Sequence, residues 1–252
     1  MKRCFVTFLL VLFIVPLTLA QTWKLKRYEG TFGFGTTHFM SDIGGYPRGS
    51  NAGGLKDVRF RQTRFDFNVN VKYRIFRNFN ARLGLAYGLL NGNDAAGSNS
   101  DRGYVTDVTA LEPLVIAEYY FITNKLENSY VFAGGGKRSF SDFLKTLDIY
   151  AFTGIGGIYY TVTGNDLLED KMDIEGTNEK GRATIIPAGV GISVPFSPEF
   201  NFGMELGGRF ALSDYIDGYS PASSKANDFY YFFNFTITYK FNTGSNGLPS
   251  FR

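Results

Sequence analysis

The single histidine, His38, is the first residue to weigh for chemistry, since an imidazole beside a nucleophile and an orienting carboxylate makes a hydrolytic site. Alternation along its segment puts His38 on the same face as Tyr28, Phe32 and Phe34. The outward neighbours expected on the flanking segments are apolar or aromatic, so an interfacial histidine is the simpler reading. Asp166, Glu169, Asp170, Asp173 and Glu175 form an acidic cluster, but their spacing fits no defined calcium loop and reads as a solvated surface. Gly154-Ile155-Gly156-Gly157 has the look of a phosphate loop without the following helix or lysine motif. No catalytic, cofactor-binding or metal site is therefore predicted. The larger set of chemically capable residues is a series of charges at alternating positions: Glu29, Arg64, Asp66, Lys72, Arg74, Arg82, Glu112, Glu118, Glu205, Arg209 and Lys240. With acids and bases almost matched, such a set suits mutual pairing better than proton or ion conduction.

Strands must position these charges. From Arg64 to Ile75 every odd position is apolar or aromatic and every even one is charged or an amide, a period of two that no helix can bury on one face. The pattern recurs at Tyr28 to Met40, Arg82 to Leu89, Val108 to Phe121, Thr184 to Val194, Phe202 to Leu212 and Phe229 to Phe241. A further strand near Leu147 to Val162 is assigned by composition, its Ile-Gly-Gly-Ile centre leaving the facing ambiguous. Eight such segments predict an all-β fold, an eight-stranded antiparallel transmembrane β-barrel spanning residues 21–241, with apolar residues toward lipid and the charges in the lumen. The strongly aromatic last strand, ending with Tyr239 and Phe241, resembles the assembly signal of outer-membrane barrels and implies handling by barrel-assembly machinery.

The N-terminus sets the compartment. Lys2 and Arg3 precede an apolar stretch from Phe8 to Leu17 and then Thr18-Leu19-Ala20, the layout of a secretory signal peptide over residues 1–20. Cleavage there removes Cys4, the single cysteine, which excludes disulfides. It also leaves 24 basic against 23 acidic residues, a balance that gives no reason to expect nucleic acid. The load of 26 Phe and 16 Tyr with 30 Gly fits aromatic girdles and small lumen residues, so the outer membrane of a Gram-negative bacterium, with its lipid as a partner, is the expected location.

With the N-terminus in the periplasm, connections 41–58, 91–105, 163–182 and 213–227 are extracellular, while 77–80 and 195–200 are tight periplasmic turns. Connection 122–147 is periplasmic yet long, and a missed strand is its structural alternative. It and the tail 242–252 are the expected docking surfaces. So narrow a lumen filled with paired charge predicts no open pore.

Several segments together resemble a Bacteroidota outer-membrane β-barrel family that includes the type IX secretion system protein PorG. They are Ser41-Asp42-Ile43-Gly44-Gly45, Glu118-Tyr119-Tyr120-Phe121, Gly154-Ile155-Gly156-Gly157, and Glu205-Leu206-Gly207-Gly208-Arg209 continuing to Ser213-Asp214-Tyr215-Ile216-Asp217-Gly218-Tyr219. The resemblance implies a non-enzymatic scaffold that contacts periplasmic secretion-ring proteins. A surface-exposed structural or adhesive barrel acting through its extracellular loops is the alternative. The residues Asp42, Asp214, Tyr215, Asp217 and Gly218 are expected to shape the extracellular rim, Asp214 and Asp217 by capping turn amides and Gly218 by a positive φ.

Overall fold

In the computed structural model the described residues are 22–45, 59–96, 99–123, 144, 146–169, 171, 180–220 and 227–250. The proposed signal peptide lies outside them, as does nearly all of connection 122–147. Eight long strands carry the fold: β1 (Tyr28–Met40), β2 (Arg64–Phe76), β3 (Phe79–Asn93), β4 (Val105–Ile122), β5 (Asp148–Gly164), β6 (Lys180–Pro195), β7 (Phe200–Ala211) and β8 (Phe229–Thr243). Each pairs antiparallel with its sequence neighbour. β1 also pairs with β8, from Tyr28 opposite Phe241 to Met40 opposite Phe229, so the ring closes. Closure leaves no row of unpaired backbone groups along a sheet edge, the condition for a sheet to cross hydrocarbon.

Which face turns outward follows from the side chains. On β2, Phe65, Phe67, Val69 and Val71 are exposed while Asp66, Asn68, Asn70 and Lys72 are buried. Phe34, Leu83, Val115, Ile155, Val190, Leu206 and Phe235 continue the exposed apolar belt around the other strands. A water-soluble barrel would carry the reverse. An apolar exterior around a polar interior is the geometry of an outer-membrane barrel. No helix among the described residues is long and apolar enough to cross a membrane; the crossing is made by strands.

The strands run longer than the alternation suggested, most clearly in β3 and β4, whose ends continue past the belt toward the rim. The facing of β5 is also settled. Tyr150, Phe152, Ile158, Tyr160 and Val162 point into the lumen, and Thr153, Ile155 and Tyr159 point out. Gly154 and Gly156 share the inward parity; a Cβ on Gly154 would collide with the Val115 backbone carbonyl, so glycine there lets β5 approach β4 closely. This is why the segment shows no apolar–polar alternation to read.

At the end with the short turns, Arg77 and Asn78 connect β2 to β3, and residues 196–199 connect β6 to β7, with the Ser197 hydroxyl accepting the amides of Glu199 and Phe200. This end is periplasmic by the usual rule for bacterial barrels. The tail folds back at this end. β8 runs on to Thr243, the chain turns through Gly247 at a φ of 77°, and it returns as the two-residue strand β9 (Pro249–Ser250) paired with Asn242 and Thr243. Tyr28 donates its hydroxyl to the Gly247 carbonyl and Arg27 its amide to Thr243 Oγ1, tying the hairpin to the start of β1.

Candidate functional site

The lower lumen holds one connected set of charges. Lys72 Nζ lies 2.9 Å from Glu118 Oε1 and 3.8 Å from Glu205 Oε1. Arg82 bridges the same two acids, with Nε 2.9 Å from Glu118 Oε1 and Nη1 2.9 Å from both oxygens of Glu205. Tyr150 donates to Glu205 Oε1 at 2.5 Å, Tyr120 donates to Glu118 Oε2 at 3.1 Å, and the Asn80 amide reaches Glu118 Oε2 at 3.4 Å. The Lys72 ammonium and the Arg82 guanidinium also sit over the rings of Tyr150 and Phe152, at 5.3 and 4.9 Å from their centroids. Toward the periplasm Arg74 pairs with Glu29 at 2.9 Å, and Lys240 stands opposite Glu29 across the β1–β8 seam. Burying charge is tolerable only with such partners, and here each carboxylate meets a cation and a hydroxyl, amide or second cation.

A second, smaller set lies higher. Arg209 Nε is 3.4 Å from Glu112 Oε2, the Tyr230 hydroxyl donates to Glu112 Oε1 at 2.6 Å, and the guanidinium lies 4.1 Å from the Phe232 ring centroid. Asp66 is fully buried beside Asn68 and Asn234 and makes none of these ion pairs. Arg64 leaves the lumen altogether. It is partly exposed at the mouth, where Nη2 lies 3.5 Å from the exposed Asp107, because β2 only begins at this residue and its side chain can reach water.

The lumen is also less ionic than the parity of charges suggested. Leu90, Val108, Ala110, Leu114, Ile116, Phe152, Ile158, Tyr160, Val162, Ile185, Tyr230 and Phe232 form a buried apolar cluster inside the ring. Their weight falls on β4 and β5, with Tyr230 and Phe232 added from β8, facing the polar inner surfaces of β1 and β2. Counting only ionisable inward residues hides this half of the plug. Charge pairs, aromatic rings and aliphatic side chains together fill the barrel, leaving an interior packed like a protein core.

At the extracellular mouth the described residues form an ordered rim. Asp94, just beyond β3, accepts two bonds from Arg102 at 2.7 and 2.9 Å and the amides of Gly44 and Tyr104 at 3.0 and 3.1 Å. Arg102 in turn donates to the Asp42 carbonyl at 2.7 Å and lies over the rings of Tyr104 and Tyr219. Asp217 accepts the amides of Ile43 and Tyr219 at 3.2 and 2.9 Å, and Gly44 and Gly218 both take φ of 82°. Asp228 accepts the Ile216 amide at 2.8 Å. Ile43, Tyr104 and Leu168, with Tyr219 against them, make a small core under these bonds, so four connections meet in one lid.

Of the rim residues named from sequence, Asp217 and Gly218 do what turn chemistry required. Among the described residues Asp214 caps no amide: its carboxylate accepts the Ser220 hydroxyl at 2.8 Å. Tyr215 contributes its carbonyl to the Gly218 amide, and Asp42 its carbonyl to Arg102. Asp94, Arg102, Tyr104, Leu168 and Asp228 were missed. Asp94 and Asp228 adjoin strand ends, the one signal that marks them, whereas Arg102 pairs across loops that no local pattern joins.

Burial pushes the Asp217 carboxyl up to about 7, with the nearby Asp42 charge adding to the rise and the Tyr219 amide opposing it; Asp228 is likewise raised by burial and by Asp217. A folded-state pKa above the ordinary 3.8 means that this contribution is fully present below about pH 4 and is lost as pH rises through 7. Amide exchange at Ile43 and Tyr219, corrected for intrinsic rates, is expected to accelerate between about pH 4 and 7 and to level off above that, by on the order of tenfold per pH unit across the window. Asp217→Asn should flatten the response; equal pH dependence in wild type and variant would contradict the assignment.

His38 lies half-buried on the outer face opposite Tyr231, with apolar and aromatic neighbours across the seam. Asp166 and Glu169 sit exposed on one helical turn, Asp166–Glu169, whose Leu168 is buried in the rim core; Asp170, Asp173 and Glu175 lie outside the described residues. Among the described residues no three His, Cys, Asp or Glu side chains are grouped to hold a metal ion. Tyr239 and Phe241 face outward at the periplasmic end of β8, ring centroids 4.8 Å apart, beside the seam with Tyr28.

Fold and site together define an eight-stranded outer-membrane β-barrel with a filled lumen and a lidded extracellular mouth. No protein-family model and no curated protein matches the sequence. Among solved structures, Neisserial surface protein A is similar at 10% identity and a TM-score of 0.48, covering 85% of this chain and 97% of its own. A major outer membrane protein from Thermus thermophilus is similar at 10% identity and 0.44, covering 85% and 99%. Outer Membrane Protein W of E. coli is similar at 14% and 0.40, covering 86% and 98%.

Proposed function

We propose that this barrel is a non-enzymatic membrane anchor that works through its ends, holding a periplasmic secretion complex at the outer membrane in the manner of PorG-type scaffolds. The observation that carries the reading is the filled lumen. With Lys72, Arg82, Glu118 and Glu205 locked together and an apolar cluster beside them, the described residues offer no path or reactive centre in the middle of the barrel. The long inner connection 122–147 and the hairpin at 242–250 then supply the periplasmic surface. The seam-side aromatics Tyr239 and Phe241 fit delivery by barrel-assembly machinery, and removal of residues 1–20 would make 21 the mature start. Photocrosslinkers placed along 122–147 in intact cells are expected to capture periplasmic ring proteins; capture of none, with the barrel correctly inserted, would sink the scaffold reading.

The rim favours a second reading, a barrel acting at the cell surface. Four connections converge on Asp94, Arg102 and Asp217, and so much order outside the membrane is more than loop closure requires. Shortening the outer loops while leaving 122–147 intact separates the two: loss of function assigns it to the surface, retention to the periplasmic end.

A further inference from the structure

Just above the apolar belt, the three-residue turn Phe60–Gln62 joins the first outer connection to β2. Its hydrogen bonds run from the Gln62 amide to the Arg59 carbonyl and from the Thr63 amide to that of Phe60. Gln62 is buried and donates its side-chain amide to the Asn93 carbonyl at the end of β3, pinning the turn to the barrel wall. Phe60 consequently points away from the wall and is 95% exposed, the most exposed large hydrophobic side chain among the described residues. Arg59 and Arg61 flank it, and Arg61 is exposed. The turn and the extended residues after it, Thr63 and Arg64, together span no more than about 14 Å along the chain, so Phe60 sits just beyond Phe65, the first outward belt residue of β2. A fully exposed phenyl ring in water is unfavourable, whereas the same ring next to the outward belt is placed to enter the interfacial layer that apolar side chains occupy. The adjacent acid does not oppose an anion here, because Asp107 is already paired with Arg64, whose guanidinium also caps the turn through the carbonyls of Arg61 and Thr63.

We infer that Phe60 and Arg61 form an interfacial anchor: the phenyl ring inserts among the outer-leaflet headgroups and the Arg61 guanidinium binds the phosphate of an anionic lipid. The anchor fixes the depth of the barrel at β2, where the outward belt begins abruptly with Phe65. It requires the barrel to span a membrane but is independent of what the periplasmic end holds.

The test places the fluorophore at the ring. A Phe60→Trp variant in a Trp23→Phe background has one indole, and it is folded into phosphatidylcholine vesicles with or without phosphatidylglycerol, insertion being verified by heat-modifiable gel mobility. With phosphatidylglycerol present, emission should be blue-shifted and quenched by lipids brominated near the headgroup. Adding Arg61→Gln should weaken that partition roughly fivefold, the effect of one basic side chain at an anionic surface. Water-like, unquenched emission from an inserted barrel in both lipids, as for a side chain kept for a soluble partner, would overturn the anchor. Quenching that ignores both phosphatidylglycerol and Arg61→Gln would overturn the phosphate contact. Failure of the variant to insert moves the readout to Arg61→Gln alone, in which anionic lipid should no longer raise the unfolding midpoint above that in phosphatidylcholine; an undiminished rise would overturn the contact.

Discussion

Gly35→Val is expected to abolish closure of the barrel. Gly35 stands opposite Asn234 in the β1–β8 seam, and a Cβ there would run into the Phe233 carbonyl oxygen and come within 2.8 Å of the Asn234 Cα. Both obstacles are backbone, so no side-chain rotation relieves them. Overpacking of a filled site ordinarily costs about 1–3 kcal/mol, and more where backbone must shift. At the seam the cost falls on the pairing of greatest sequence separation, the one whose loop closure is entropically most costly. The folded, heat-modifiable fraction in vesicles should drop roughly tenfold or more, an estimate from that overpacking cost. Gly157→Ala serves as the control, since its Cβ would meet nothing nearer than 3.9 Å and should be tolerated.

Arg82→Met should produce the largest loss of stability among lumen charges. Arg82 contacts both Glu118 and Glu205, and its removal leaves Lys72 alone to serve two buried carboxylates. Truncating one partner of a buried ionic set costs about 3–5 kcal/mol, because the remaining charge stays desolvated. The denaturant midpoint for reversible unfolding in vesicles should fall accordingly, and adding Glu118→Gln should restore a good part of the loss by removing one stranded charge. At the rim, Arg64→Gln should change stability by about 0–1 kcal/mol, since its partner Asp107 is solvated. Equal effects of Arg82→Met and Arg64→Gln would mean that the lumen set does not hold the barrel together.

The contrast between these two arginines shows how far the sequence could be read. Both carry the inward parity of their strands, and alternation alone cannot tell a residue deep in the lumen from one at its mouth. Alternation was enough for the faces of β2, β7 and β8 from Asn234 onward, where small or polar inner residues oppose apolar outer ones; at the start of β8 the inward Tyr230 and Phe232 are as apolar as their outward neighbours. It failed on β5, whose Tyr150, Phe152 and Ile158 are as apolar as the residues facing lipid. The same blindness hid the apolar half of the plug, since an inward leucine and an outward one have the same chemistry. The rim was legible only where a bond is local: Asp217 and Gly218 lie within one turn, but Arg102 reaches Asp94 eight residues back and Asp42 on a different connection. The fold-back of the tail was not legible for a related reason. Gly244 to Leu248 reads as loop, and nothing local announces that Pro249 and Ser250 return to pair with Thr243 and Asn242.

A filled lumen leaves the two ends of the barrel as the surfaces through which we propose that it works. Single-channel recording of the purified, folded protein in a planar bilayer tests the filled lumen most directly. A filled lumen should give a silent baseline in wild type, and no ion-selective current should appear when pH is moved across the range in which the Asp217 rim loosens. Steady, large conductance from wild-type barrels, reproducible from one insertion to the next, would contradict it.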